Sequence, residues 1–340
     1  MRILVIGAGA VGGYFGGRLA AVGRDVTFLV REGRAKQLRR TGLQIFDVYG
    51  DVTVPASVLK LLTAEALKAR PEAFDLILLS TKAYSLESAI ADFAPAVGSG
   101  TAILPLLNGM RHLEMLEARF GAETVLGGAT YIVADMDADG GVHSMTPLHD
   151  LNFGERDKVV TERMQAIETT LTGAEFEVRL RKDIVATMWQ KWTLLASLGA
   201  ITCLMRGSIG AVVAAPGGLE TARAIIAECV AIATANGYAP EDAAAHATTS
   251  QRLVEPGSPL TASMYRDLQK GARVEADQIL GDLLERGRRH GVEAPLLLAA
   301  YAQLSVYSTE LIGAPATVRP AVAAGGGVVE GGDGPGGGIG

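Results

Sequence analysis

Two kinds of residue in this sequence are equipped for chemistry: glycines spaced to take a phosphate, and charged side chains set into apolar helix faces. The glycines lie in Gly7-Ala8-Gly9-Ala10-Val11-Gly12, a G-x-G-x-x-G spacing. Gly7 would permit a tight turn, Gly9 would let backbone approach a pyrophosphate, and Gly12 would let the next helix pack closely on its strand. The phosphates would sit at the start of that helix, beside Ala10 and Val11, where unpaired N–H groups and the dipole favour anions. Arg31 follows nineteen residues after Gly12, with Arg34 and Lys36 close behind. An acidic residue at this point holds the ribose 2′-hydroxyl of NAD, whereas arginine suits the 2′-phosphate of NADP. Arg31 therefore selects NADPH; Glu32 would restore the acidic reading if the register moved by one residue.

The charged side chains are Lys191 and Glu275. Lys191 falls on one helical face with Ile184, Met188, Leu195 and Leu198. Glu275 lines up with Met264, Leu268, Ala272, Ile279 and Leu283 in a helix expected to run from Ser263 through Arg288. Unpaired buried charges are very unfavourable, so two opposite charges on two apolar faces suggest a shared cleft. A structural salt bridge is the alternative reading of the same pair. Lys82 and Asn108 follow two strands whose carboxyl ends should lie beside the glycine turn, which makes them cleft candidates. Taken alone, each reads first as an ordinary surface residue or a turn former.

The elements that must position these residues begin with Arg2–Ile6, a run of the kind buried on both faces of a parallel sheet. A helix through Ala21 and a second strand, Asp25–Val30, complete the strand–turn–helix–strand context that the glycine motif requires. Leu43–Phe46 and Val52–Pro55 read as short strands around a Tyr49-Gly50 turn. Phe74–Ser80 and Thr101–Leu107 read as buried strands. Val125–Gly154 reads as short β pieces forming an antiparallel edge. A helix (160–171) and a strand (Phe176–Leu180) follow. The expectation is an α/β fold: a Rossmann-type dinucleotide-binding domain over residues 1–181 and an all-helical domain over 182–315. In the second domain Asp183 caps a long helix, Pro216-Gly217-Gly218 opens another, a polar helix covers 241–249, and Pro295 starts the last. Residues 316–340 form a Gly-rich tail: ten of the last sixteen are Gly, too little surface to order a chain.

A length of 340 residues, 49% of them hydrophobic and 20% charged, fits a soluble protein of about two domains. The net charge of −6 and the lack of a basic stripe exclude a nucleic-acid partner. Cys203 and Cys229 read as core residues, and the five histidines are scattered, so neither a disulfide framework nor a metal site is expected. A strand starting at residue 2 leaves no room for a signal peptide, and no apolar run is long enough for a membrane span. The expected location is the cytoplasm, and the long apolar helix faces allow a homodimer.

The glycine turn with Arg31, Thr81-Lys82-Ala83, Asn108-Gly109-Met110, Trp189-Gln190-Lys191, and Ser263-Met264 with Glu275 twelve residues after the serine resemble the ketopantoate reductase (2-dehydropantoate 2-reductase) family over about residues 1–310. That family joins a Rossmann domain to a helical domain, with the active site between them, and uses NADPH to reduce ketopantoate to pantoate on the route to coenzyme A. The resemblance implies that Lys191 is the general acid and that Glu275 contacts the substrate and keeps Lys191 charged. It also implies that Ser263 binds substrate, that Asn108 touches cofactor and substrate, and that Lys82 lines the cofactor cleft. The family commonly carries two asparagines four and eight residues after the lysine, where this chain has Leu195 and Gly199. Losing those amides puts the substrate in question, and a more apolar oxo acid or a ketone would suit the change. Arg206 is a candidate for the missing carboxylate contact. A third reading, a sensor that binds NADPH without turnover, has no use for Lys191 and Glu275.

Overall fold

The computed structural model describes residues 1–240 and 243–313; the expected Gly-rich tail lies outside the described residues. The strands are β1 (Arg2–Ile6), β2 (Asp25–Leu29), β3 (Leu43–Phe46), β4 (Val52–Val54), β5 (Lys60–Leu62), β6 (Leu76–Leu79), β7 (Ala102–Pro105), β8 (Gly127–Met136), β9 (Val142–Gly154) and β10 (Glu177–Leu180). Among them run helices α1 (Ala10–Ala21), α2 (Glu32–Thr41), α3 (Ala64–Ala69), α4 (Leu86–Phe93), α5 (Arg111–Phe120) and α6 (Glu162–Leu171). From residue 184 the described chain is helical: α7 (Ile184–Leu204), α8 (Ile209–Ala214), α9 (Gly218–Ala235), α10 (Ala243–Arg252), α11 (Ser263–Gln269), α12 (Asp282–Arg289) and α13 (Pro295–Gly313).

The first sheet is wholly parallel in the order β5-β2-β1-β6-β7. Connections leave β1 toward β2 on one side and β6 lies on the other, so the order reverses between β1 and β6. Ligands of such sheets bind in the crevice outside the carboxyl ends at that point. Every residue of β6 and β7 is buried, as expected of strands covered on both faces.

The expected antiparallel edge is instead a second sheet. It has the order β10-β9-β3-β4, with β8 paired antiparallel to β9. The pieces read as short in the sequence are two long strands, interrupted by a bulge between Ile132 and Ala134 that re-aims the chain. Helix α1 lies between the sheets, and its glycines allow it. A Cβ on Gly16 would stand 2.8 Å from Phe28 of the first sheet, and one on Gly17 would stand 2.8 Å from Leu43 and Ile45 of the second. On α1 itself, Arg18 is 2% exposed; its guanidinium donates to Asp47 at 2.7 Å and to Glu175 at 2.8 Å, and the Tyr14 hydroxyl donates to Asp47 at 2.5 Å.

One correction bears on the site. The helix expected from Ser263 through Arg288 is broken. α11 ends at Gln269, Gly271 takes φ +64°, residues 272–275 are non-helical, and a π-turn at Asp277–Gly281 leads into α12. A left-handed glycine ends a helix because it satisfies the last carbonyls without a Cβ clash. Glu275 thus sits at the mouth of a helix rather than within one.

Candidate active site

The glycine turn has the geometry that its spacing foretells. Gly7 has φ +90°, open to glycine and strained for other residues. A Cβ on Gly9 would meet nothing within 4 Å, so room is left at the N-terminus of α1. A Cβ on Gly12 would lie 2.1 Å from Ser80 Oγ and 2.2 Å from the Gly7 carbonyl oxygen, so only glycine lets α1 approach β6. No side chain caps α1, and the N–H groups at Ala10, Val11 and Gly12 are free to meet an anion. The Thr81 hydroxyl, at the end of β6, is buried without a partner. These residues fit the pyrophosphate of a dinucleotide.

Arg31 is the exposed N-cap of α2: its carbonyl accepts from the Ala35 N–H at 3.0 Å, while its side chain makes no hydrogen bond or ion pair among the described residues. Glu32 pairs instead with Arg39 along the outer face of α2, at 3.4 Å. Arg34, one turn on, is occupied: it donates to the Ala8 carbonyl at 3.1 Å and to the Gly140 carbonyl at 2.9 Å. Of the three basic residues grouped there, Arg31 is the one before the helix, and its guanidinium is unengaged.

Lys191 emerges from the middle of α7 and is 9% exposed. Its Nζ lies 5.9 Å from the centre of the Tyr131 ring on β8. Burial lowers its pKa from 10.5 to about 8, opposed in part by Glu275. On one side Lys191 shares a small cavity with Asn108, Gly109, Met188, Trp192 and Leu195. On the other it opens into a larger chamber between α7, α9 and α10. His112, from the start of α5, is buried with Nε2 unpaired; burial first, then Lys191 and Arg156, push its pKa down to about 3, so it is neutral.

Glu275, 7% exposed, joins the two halves of the chain. Its Oε1 accepts from the Ala83 backbone N–H at 2.9 Å, and its Oε2 lies 3.6 Å from Lys82 Nζ. Lys82 donates to Asp267 on α11 at 3.0 Å. Burial pulls the Lys82 pKa down, but Glu275 and Asp267 together hold it above its ordinary value. No ion pair joins Lys191 and Glu275 directly, so the structural salt bridge is not between them. Glu275 acts on Lys191 through space instead. Trp192 Nε1 donates to the Ile279 carbonyl at 2.9 Å, fixing the segment after Glu275 onto α7. Gly109 (φ +79°) would place a Cβ 2.5 Å from the Gln278 carbonyl, so the turn carrying Asn108 is pressed onto the same segment.

Lys82, Asn108, Lys191 and Glu275 are therefore brought to one interdomain region beside the glycine turn. Ser263 is exposed at the first position of α11, one turn before Asp267 and on its face. Arg206 is a correction. It is exposed beyond the end of α7 with φ +55°, fifteen residues from Lys191 and thus about 22 Å away at the helical rise. It is not placed to meet a substrate at Lys191. Leu195 lines the small cavity, and a Cβ on Gly199 would stand 2.8 Å from the Met264 terminal methyl, so methionine fills that place. Sequence reading missed Tyr131, His112, Asp267 and the Thr81 hydroxyl. Asp267, four residues after Ser263, was the one with a readable spacing. Among the described residues no group of three or more His, Cys, Asp or Glu is placed to hold a metal ion, and no helix is long and apolar enough to cross a membrane.

Comparison with known proteins accounts for this arrangement. Residues 3–158 match the family described as Ketopantoate reductase PanE/ApbA, and residues 183–308 match its C-terminal counterpart. An uncharacterized oxidoreductase, YkpB, of Bacillus subtilis (strain 168) is 36% identical over 310 residues, covering 91% of this chain and all of the relative. The crystal structure of 2-dehydropantoate 2-reductase from Geobacter metallireducens GS-15 superposes with a TM-score of 0.80 at 26% identity, over 90% of this chain and 99% of that one. The ternary complex of D-mandelate dehydrogenase with NADH and anilino(oxo)acetate shares the fold, with a TM-score of 0.79 at 20% identity over 92% of this chain and 99% of that one. The chain is an oxidoreductase that belongs to the ketopantoate reductase family.

Proposed function

We propose that this protein reduces a 2-oxo acid to its 2-hydroxy acid with NADPH, Lys191 supplying the proton. The observation that carries the reading is the buried Lys191 ammonium, set between Asn108 and a chamber at the edge of a dinucleotide-binding sheet. Residues 1–181 hold the dinucleotide and residues 182–315 bring the lysine, a division supported by the two stretches that match the family. Gly7, Gly9 and Gly12 with the N–H groups at Ala10 and Val11 would hold the pyrophosphate, Arg31 the 2′-phosphate, and Asn108 with Lys82 the cleft side. When bound, NADPH supplies a hydride to the carbonyl carbon of the substrate. As that carbon gains the pair, the C=O π electrons move to oxygen, and Lys191 Nζ–H gives that oxygen a proton. Lys191 is left neutral and takes a replacement proton from solvent. The ammonium also stabilises the alkoxide charge as it develops. Glu275 favours the charged form of Lys191, and Ser263 would meet the substrate at the cleft margin.

Ketopantoate is the family's substrate and the first to be tested. A second reading, another 2-oxo acid, is favoured by Leu195 and by Met264 filling the place beside Gly199. The test is NADPH oxidation, followed by absorbance, with ketopantoate and a panel of other oxo acids. Lys191→Ala should lower turnover about 10²–10⁴-fold, the usual worth of a general acid. An unchanged rate removes Lys191 from the chemistry, and inertness toward every acid with NADPH still bound favours a sensor. The same reading puts the enzyme in the cytoplasm, as a homodimer with a small oxo acid as its partner.

A further inference from the structure

The chamber behind Lys191 holds about 270 Å³, against about 10 Å³ on the Asn108 side, which has room for roughly one water. Of these two spaces beside Lys191, the α7–α9–α10 chamber is the one with room for the substituent of a substrate whose carbonyl oxygen meets the lysine. Hydrocarbon makes up its α9 side: Ile226, Val230 and Ala233, with Leu194 of α7, Leu253 after α10 and the Tyr238 ring beside them, while Gln190 and the α10 residues His246, Thr249 and Ser250 are its polar members. Two hydroxyls of α7 face the same space, but both donate to carbonyls of their own helix, Ser197 to Thr193 at 2.8 Å and Thr193 to Trp189 at 2.9 Å. Lys191 is the only lysine, arginine or acid among the described lining residues. A charged substituent would lose its water there beside only the His246 ring and Lys191, whose proton is committed to the carbonyl oxygen, which is unfavourable. A hydrocarbon one would gain roughly 25 cal/mol for each Å² removed from water. Size agrees: a cavity of about 150 Å³ accepts benzene, so this chamber has room for an aryl ring and its linking carbon.

We infer that the substrate is a 2-oxo acid with an uncharged, apolar substituent bulkier than that of ketopantoate, an aryl-methyl or long branched alkyl group, and that the α7–α9–α10 chamber receives it. This rests on the reductase reading above. Within it, the substrate's reactive end is read by Lys191 and its identity by α9.

The test compares kcat/KM of the intact protein with NADPH across 2-oxobutanoate, ketopantoate, 4-methyl-2-oxopentanoate, phenylpyruvate and 2-oxoglutarate. A methylene buried in an apolar pocket is worth about 10- to 200-fold. Phenylpyruvate or 4-methyl-2-oxopentanoate should therefore exceed 2-oxobutanoate and ketopantoate by at least about tenfold, with 2-oxoglutarate poorest. Ala233→Leu, which narrows the chamber, should reduce phenylpyruvate turnover at least about tenfold more than 2-oxobutanoate turnover. Should that variant fail to fold, Val230→Ala, which widens the chamber, should move the preference toward larger acids. Preference for ketopantoate or for the short acid, or equal losses on all substrates in Ala233→Leu, would overturn the chamber's role while leaving the reductase intact. Failure of every acid to oxidise bound NADPH would overturn both.

Discussion

Lys191, the proton donor proposed above, takes its character from where it is buried. Its pKa of about 8, against an ordinary 10.5, comes first from desolvation. A proton donor must be protonated, so kcat/KM for reduction should be level below about pH 8 and fall as pH rises through it. A profile level past pH 9 would show that another group gives the proton. Stability runs the other way: between about 8 and 10.5 the unfolded chain holds this proton and the folded one does not, so the penalty of burying the cation is relieved as pH rises. The contact proposed for Arg31 is separable from this chemistry. Arg31→Asp should raise Kd for NADPH far more than for NADH, measured by fluorescence titration. An equal loss of both cofactors would refute a 2′-phosphate contact.

At the scale of the element, α1 and its turn are the most demanding piece. Gly12→Ala would drive a Cβ into Ser80 and the Gly7 carbonyl at about 2 Å. Overpacking of that kind destabilises by about 1–3 kcal/mol. The variant should unfold at lower urea and lose dinucleotide binding; unaltered binding would mean that the turn is not the phosphate site. This element was legible from sequence because each glycine has a local backbone reason to be there. The site beyond it was legible only in part. Lys191 and Asn108 could be placed from a helix face and a strand end, which are local patterns. Glu275 was placed on the wrong element, because the apolar spacing Met264–Leu268–Ala272–Ile279–Leu283 persists across a break that Gly271 makes, and periodicity does not see a break that keeps phase. Tyr131 and the α9 wall were not legible at all. Their roles depend on which strand and which helix meet across the chamber, and spacing along the chain does not encode that.

In the whole molecule, the ion pairs crossing the cleft look like fasteners, but the apolar core does the holding. Lys270 reaches Asp135, and Arg286 reaches Glu114 at 2.6 Å, each with at least one exposed partner. Such pairs are worth about 0–1 kcal/mol. Beneath them, Leu4, Ile6, Ile77 and Leu79 of the first sheet share one continuous core with Met188, Trp189 and Trp192 of α7. Lys270→Ala should therefore shift stability by about 1 kcal/mol or less. Trp192→Ala, which removes a side chain 1% exposed and its bond to Ile279, should lower it by about 3–5 kcal/mol. Urea unfolding followed by far-ultraviolet circular dichroism checks both. The reverse ranking would make the salt links the true fasteners.

Helix α1 has a sheet on either side of it, so it has nowhere to retreat. A shift that relieves Gly16 against Phe28 would crowd Gly17 against Leu43 and Ile45. Bulk added to this helix cannot be absorbed by sliding, so the N-terminal end of α1 is held by packing on both faces. Arg31 lies outside that vice, on an exposed helix start. Redesign of the preferred coenzyme can thus proceed at the rim, one side chain at a time, while the seat beneath it is left alone.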